Sequence, residues 1–151
     1  MTSLAARADE RLVATAAGVL NVRTGVEATP DSVFQMGSIT KPWTATLVMQ
    51  LVEEGRLRLS DRVVDVLPGF ALRDPDAARR ITVAQLLAHT SGIDGDQFLE
   101  LGRGADAVAR FVEAARDFAL VHPPGALWSY CNAGFVIAGR IVEVLRGAPY
   151  D

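Results

Sequence analysis

An α+β fold, mostly helical with short strands confined to the front of the chain, is what three observations predict. The chain has 151 residues with 50% apolar content, enough to bury one core. Its first quarter is written in short extended-favouring pieces and turn residues. From Ile39 onward the apolar residues recur at helical period, and they keep that period almost to the end.

Taken in order, residues 11–24, RLVATAAGVLNVRT, favour a strand or hairpin, and TGVEATPDS after them supplies a turn. Trp43, Leu47, Val48, Leu51 and Val52 then fall on one stripe of a helix that Gly55 ends. Proline is tolerated only in a first turn, so Pro42 places the start close to Ser38. A short helix follows Ser60 through DRVVDVL and stops before Pro68. The next begins at Thr82, where TVAQ has the form of a capping box with Gln85 reaching back, and closes at HTSG. Asp106 caps a fourth, with Val108, Phe111, Val112, Ala115 and Phe118 on its inner face. The last begins near Asn132, buries Phe135, Val136, Ile141, Val142 and Leu145, and stops at Gly147 with Pro149 beyond. No repeat or low-complexity linker divides the chain.

The formal charge of −3 and the scattering of arginines among acids offer no basic surface, so nucleic acid is not an expected partner. The apolar runs are broken by Glu53, Glu54, Arg140 and Glu143, so no membrane span is expected. The N-terminus lacks an uninterrupted apolar region followed by a cleavage site, which reads as cytoplasmic; a secreted protein without its leader would read the same. One cysteine cannot form an internal disulfide. His89, His122 and Cys131 have no recognisable ligand spacing, so neither a metal nor another cofactor is expected.

Within FQMGSITKPWTA stands Lys41, the single lysine among 15 basic residues. A lysine at i+3 from a serine at a helix start shares one face of the first turn with it. A serine hydroxyl is a weak nucleophile until a base takes its proton, and a desolvated lysine can be that base where an arginine cannot. The helix start adds backbone N–H groups suited to an oxyanion. The plainer alternative is that Ser38 is an N-cap and Lys41 a solvated first-turn residue. Further on, PPGALWSYCNAGF sets Tyr130 and Asn132 two apart. A phenol can relay a proton, and an amide can hold both a lysine and a substrate carbonyl. Alternatively Tyr130 packs beside Trp128 and Asn132 is an ordinary N-cap.

In this order FQMGSITK, LLAHTSG and PGALWSYCNAGFVIAGRIVE resemble the serine β-lactamase and penicillin-binding-protein superfamily, in its branch of class C β-lactamases, D-alanyl-D-alanine carboxypeptidases and related esterases. The resemblance runs from about Val19 to the C-terminus. It implies an acyl-enzyme serine hydrolase acting on a small molecule, a β-lactam, D-alanyl peptide or small ester. Ser38 would be the nucleophile, Lys41 the general base, Tyr130 the proton relay to the leaving group, and Asn132 the substrate-binding amide. By the same match His89 has a packing and helix-end role, and His122 is a loop residue.

Three departures stand out. The superfamily's third motif, a Lys-Thr-Gly or His-x-Gly on a sheet edge, is not in this chain; Arg23-Thr24-Gly25 lies in a turn ahead of the nucleophile. Fewer residues than usual precede Ser38. Cys131 stands where serine or alanine is usual, and packing is its expected role. The chain is therefore expected to be one partial domain, residues 1–35 holding N-terminal strands and a turn and residues 36–151 the helical lobe, with the rest of an antiparallel sheet missing. Self-association or a complementing C-terminal segment would then complete the sheet. The alternative to an enzyme is a non-catalytic or acyl-trapping binding module of the same family.

Overall fold

The computed structural model describes residues 2–8 and 11–150, and side chains from Val13 to Tyr150. It divides into two units, Met1–Gly37 and Ser38–Asp151.

In the first unit β1 (Thr2–Ala8) and β2 (Arg11–Ala17) form an antiparallel pair whose register runs from Thr2 opposite Ala17 to Ala8 opposite Arg11. The expected strand thus occupies only the front of residues 11–24, and its partner precedes it. Gly18, at φ +93°, ends the pairing. Asn21 organises the turn that follows: its Oδ1 accepts from the Arg23 N–H at 2.8 Å and from that of Thr24 at 3.3 Å.

The second unit is helical. A 3₁₀ turn, Gly37–Ile39, leads into α1 (Thr40–Glu53), so the α-helix begins slightly later than expected, with Pro42 in its first turn. Val48 and Leu51 are buried as expected, but Trp43 is 63% exposed. Thr44 takes its place in the buried row. A hydroxyl can be buried there because it donates to Thr40 O at 3.3 Å and meets the Tyr150 hydroxyl at 2.5 Å.

α2 is only Val63–Val66, shorter than DRVVDVL suggests, because Asp61 and Arg62 are held in an extended lead-in bridged to Thr82. An unexpected α3 (Pro75–Ala78) follows, with the Asp74 carboxylate accepting from the Asp76 and Ala77 N–H groups and proline at the first helical position. α4 (Val83–Leu87) starts on the capping box read from TVAQ, both of whose hydrogen bonds form.

α5 (Ala107–Ala114) continues into a 3₁₀ turn, Ala115–Asp117, and buries Phe111, Val112, Ala115 and Phe118. Asp106 does not cap it: its carboxylate pairs with Arg110 instead. α6 (Asn132–Arg146) ends on Gly147, which adopts φ +71° as a left-handed stop.

α6 is the centre of this unit, packing against α1, α4 and α5. Ile137, Ala138 and Ile141 are fully buried, and Ala133, Gly134 and Gly139 let neighbours approach closely. Phe135, Val136 and Leu145, expected inside, are half-buried; Val136 and Leu145 pack at the edge of that core. Arg146 closes the far end with two 2.8 Å hydrogen bonds to Glu54 at the end of α1. The α1–α6 contact places Lys41 and Asn132, at the first turns of both helices, side by side.

Candidate active site

Ser38 lies in the 3₁₀ turn ahead of α1, and Ile39, not Ser38, is the N-cap; no side chain caps this helix. The serine hydroxyl is therefore not spent on helix capping. It is met by two groups instead, the Tyr130 hydroxyl at 2.6 Å and the Lys41 Nζ at 3.2 Å. Both distances are hydrogen bonds by ordinary geometry.

Lys41 also donates to Asn132 Oδ1 at 2.7 Å. An ammonium has donors only, so this contact fixes the amide's orientation: Oδ1 faces the lysine and the NH₂ group points elsewhere as a donor. The ammonium also lies over two aromatic faces, 4.7 Å from the Tyr130 centroid and 5.7 Å from that of Phe135. All four residues read from the sequence meet here. Ser38 is exposed, Lys41 and Asn132 are half-buried, and Tyr130 is 42% exposed, so reactants can reach the serine from solvent.

Lys41 beside the phenol, together with the Ser38 contact, holds the Tyr130 pKa below its ordinary value of 10.0. The hydrogen bonds with Lys41 and Ser38 act here more strongly than burial, which would push the other way. Cys131, between Tyr130 and Asn132, is fully buried; burial raises its thiol pKa. Its Sγ accepts from the Gly134 N–H at 3.2 Å, so it packs and caps α6.

The support for Tyr130–Asn132 comes from residues 89–95. The backbone of this segment pairs with residues 119–131: Val121 N–H donates to Gly92 O at 2.8 Å, Asp94 N–H to Ala119 O at 3.0 Å, and Ser129 N–H to His89 O at 2.9 Å. Gly95 lies so close that a Cβ on it would stand 2.5 Å from Cys131 Cα and 2.7 Å from Tyr130 O. His89 does more than end α4. Its Nδ1 accepts from the Cys131 N–H at 3.0 Å, and its ring stacks on Tyr130 at 4.5 Å. Spacing carries no trace of this, because the partners are 41 and more residues apart. His122 lies in the loop before Pro123, as expected. Among the described residues no group of three or more His, Cys, Asp or Glu side chains could hold a metal ion, and no helix is long and apolar enough to cross a membrane.

The family model described as Beta-lactamase matches residues 2–151. Penicillin-binding protein 4 of Amycolatopsis lactamdurans is 55% identical over 149 residues, which are 99% of this chain and 39% of that protein. The D-amino acid amidase of Ochrobactrum anthropi SV3, solved with D-phenylalanine, superposes with a TM-score of 0.73 at 25% identity, covering 98% of this chain and 41% of that one. An octameric penicillin-binding protein homologue from Pyrococcus abyssi gives a TM-score of 0.66 at 32% identity, covering 94% and 34%. The chain therefore spans well under half the length of each of these relatives. Its mostly helical architecture corresponds to the helical lobe of their fold.

Proposed function

The chain belongs to the beta-lactamase family, and from that premise we propose that it supplies the nucleophile and proton-transfer groups of a serine hydrolase working through an acyl-enzyme at Ser38. The observation that carries this reading is the convergence of the Tyr130 hydroxyl and Lys41 Nζ on one serine oxygen, at 2.6 and 3.2 Å. Ser38 Oγ attacks the carbonyl carbon of the acyl donor as its proton passes to Lys41 acting as general base. Tyr130 gives a proton to the departing nitrogen or oxygen and regains one from Lys41, and the Asn132 NH₂ group donates to the acyl side of the substrate. Water then attacks the ester carbon and restores the serine hydroxyl.

The donor geometry favours a second assignment of the base within the same reaction. Lys41 donates to both Ser38 and Asn132, and the Tyr130 hydroxyl makes the shorter contact, donating to Ser38 Oγ at 2.6 Å, with a pKa lowered from its ordinary value. A Tyr130 phenolate, held beside the ammonium, would take the serine proton and pass it to the leaving group itself. Lys41→Arg separates the two: lost acylation supports the lysine as base, and retained acylation with a loss of about 10²–10⁴ in Tyr130→Phe supports the phenolate.

β-Lactams, D-alanyl peptides and small esters are the substrate classes we propose. The relative named as a penicillin-binding protein and the amidase solved with D-phenylalanine support acyl donors of that kind. Mass spectrometry after incubation with a fluorescent penicillin or an activated ester tests the whole reading. An adduct on Ser38 that decays with time is the expected result, and Ser38→Ala abolishes it. A persistent adduct would make the chain an acyl trap, and no adduct on folded protein would make it a non-catalytic module. We further propose that copies of the chain associate. The exposed Ile39, Trp43, Met49, Leu127 and Trp128 support this, as does the octameric homologue.

A further inference from the structure

We propose that His89 is a positioning residue for Tyr130, its neutral imidazole holding the phenol at the distance from Ser38 that proton transfer needs. This rests on the proton-relay role proposed above for Tyr130.

Three independent features converge on the ring. His89 adopts φ +58°, the only positive φ outside glycine among the described residues. Left-handed backbone is strained for a residue that carries a side chain, and a glycine or asparagine would relieve it. At this strained position the His89 ring meets two partners. One is the Cys131 N–H, which donates to Nδ1 at 3.0 Å and so ties the backbone between Tyr130 and Asn132 to the end of α4. The other is the Tyr130 ring, stacked at 4.5 Å with 30° between the planes. Trp128, 5.9 Å away in an edge contact, and Phe135, at 5.2 Å, flank the remaining sides of the imidazole. Tyr130 itself is 42% exposed and its hydroxyl meets Ser38 at 2.6 Å; besides His89, its ring meets Lys41 Nζ at 4.7 Å and Trp128 at 6.4 Å, and of these ring neighbours His89 makes the stacked contact and also binds the adjoining backbone.

The chemistry requires a particular protonation state. Nδ1 can accept only with a lone pair, so the neutral ring carries its proton on Nε2. Protonation would put an N–H on Nδ1, opposite the Cys131 N–H, and break that link. It would also place a second cation beside Lys41. The titratable groups facing the ring are Lys41 from α1 and Tyr130 and Cys131 from the lead-in to α6; α4 contributes none. Burial first, then the Lys41 charge, holds the imidazole pKa below its ordinary 6.5, which keeps the ring neutral.

NMR of ¹³C-tyrosine- and ¹⁵N-histidine-labelled protein tests this, paired with acylation rates against pH. In wild type we expect the unprotonated nitrogen of His89 to be Nδ1, and the proximity of Tyr130 to Ser38 to be lost as His89 protonates. Persistence of that proximity through the His89 titration overturns the proposal. His89→Phe keeps a stacking ring and removes the acceptor, and His89→Asn keeps an acceptor that tolerates the left-handed backbone and removes the ring. Both should raise the Tyr130 pKa towards 10 and slow acylation tenfold or more, and His89→Phe should erase the acid limb of the rate profile. An unchanged Tyr130 pKa in folded variants overturns it as well, and the wild-type measurement stands if neither variant folds. Wild-type protein that is never acylated refutes the hydrolase reading instead, because the NMR contacts are read without turnover.

Discussion

Gly95 shows how tightly single positions are specified around the second pair of site residues. A methyl group there would meet Cys131 Cα at 2.5 Å and Tyr130 O at 2.7 Å, both backbone atoms that cannot rotate away. Gly95→Ala should therefore cost about 1–3 kcal/mol, as overpacking does. It should also move Tyr130 and Asn132 away from Ser38, so acylation should fall more than the loss of stability explains. Thermal melts and adduct formation measured on the same preparation check both. His89 gives a residue-scale dependence on pH. Its folded pKa lies below the ordinary 6.5, so above that value neither state is protonated and the fold carries no penalty. As pH falls from 6.5 towards the lower folded value, unfolded chains take up a proton that the fold resists, and stability declines. Urea midpoints followed across that window should fall in wild type and should fall less steeply in His89→Phe. Ser38 and Lys41 were legible as a pair because a lone lysine at i+3 from a serine is a local pattern. The support given by His89 and Gly95 was not, since it consists of contacts between distant segments.

Among the elements, α4 carries the most local information. Thr82 and Gln85 satisfy each other's backbone donors, with the Gln85 N–H on Thr82 Oγ1 at 3.3 Å and the Thr82 N–H on Gln85 Oε1 at 3.0 Å. Thr82→Ala should lower stability by about 1 kcal/mol, read as a lower denaturation midpoint with an unchanged denaturant slope. His89 lies two residues beyond the last residue of α4, so fraying that helix should loosen Tyr130 and slow acylation as well. The capping box and the Gly147 stop follow from short-range rules and were readable in advance, whereas of the expected buried row of α6 only Ile141 and Val142 are fully inside. The late start of α1, the brevity of α2 and the uncapped start of α5 were not. Arg62 is bridged to the distant Thr82, which holds the lead-in to α2 extended, and Asp106 pairs with the Arg110 guanidinium one turn on rather than with the helix N-terminus. Trp43 departs for a related reason, since Thr44 gains a buried partner in Tyr150 and takes the inward position.

For the molecule as a whole, the exposure of Ile39, Trp43, Met49, Leu127 and Trp128 is large for a helical unit with so well filled a core. Sedimentation or size-exclusion across a range of concentrations should show species larger than a monomer. A monomer at every concentration, unfolding in one cooperative step, would refute the proposed association. Family membership, the helical character of residues after Ile39 and the choice of Ser38, Lys41, Tyr130 and Asn132 as candidate site residues were all legible in the sequence, because motifs and periodicity are short-range properties of a chain. Only the tertiary structure decided that these side chains meet. α6 packed on α1 brings Asn132 to within 2.7 Å of Lys41, and the 89–95 segment presses Tyr130 to within 2.6 Å of Ser38. Such distances depend on the packing of whole elements, and no spacing along the chain encodes them.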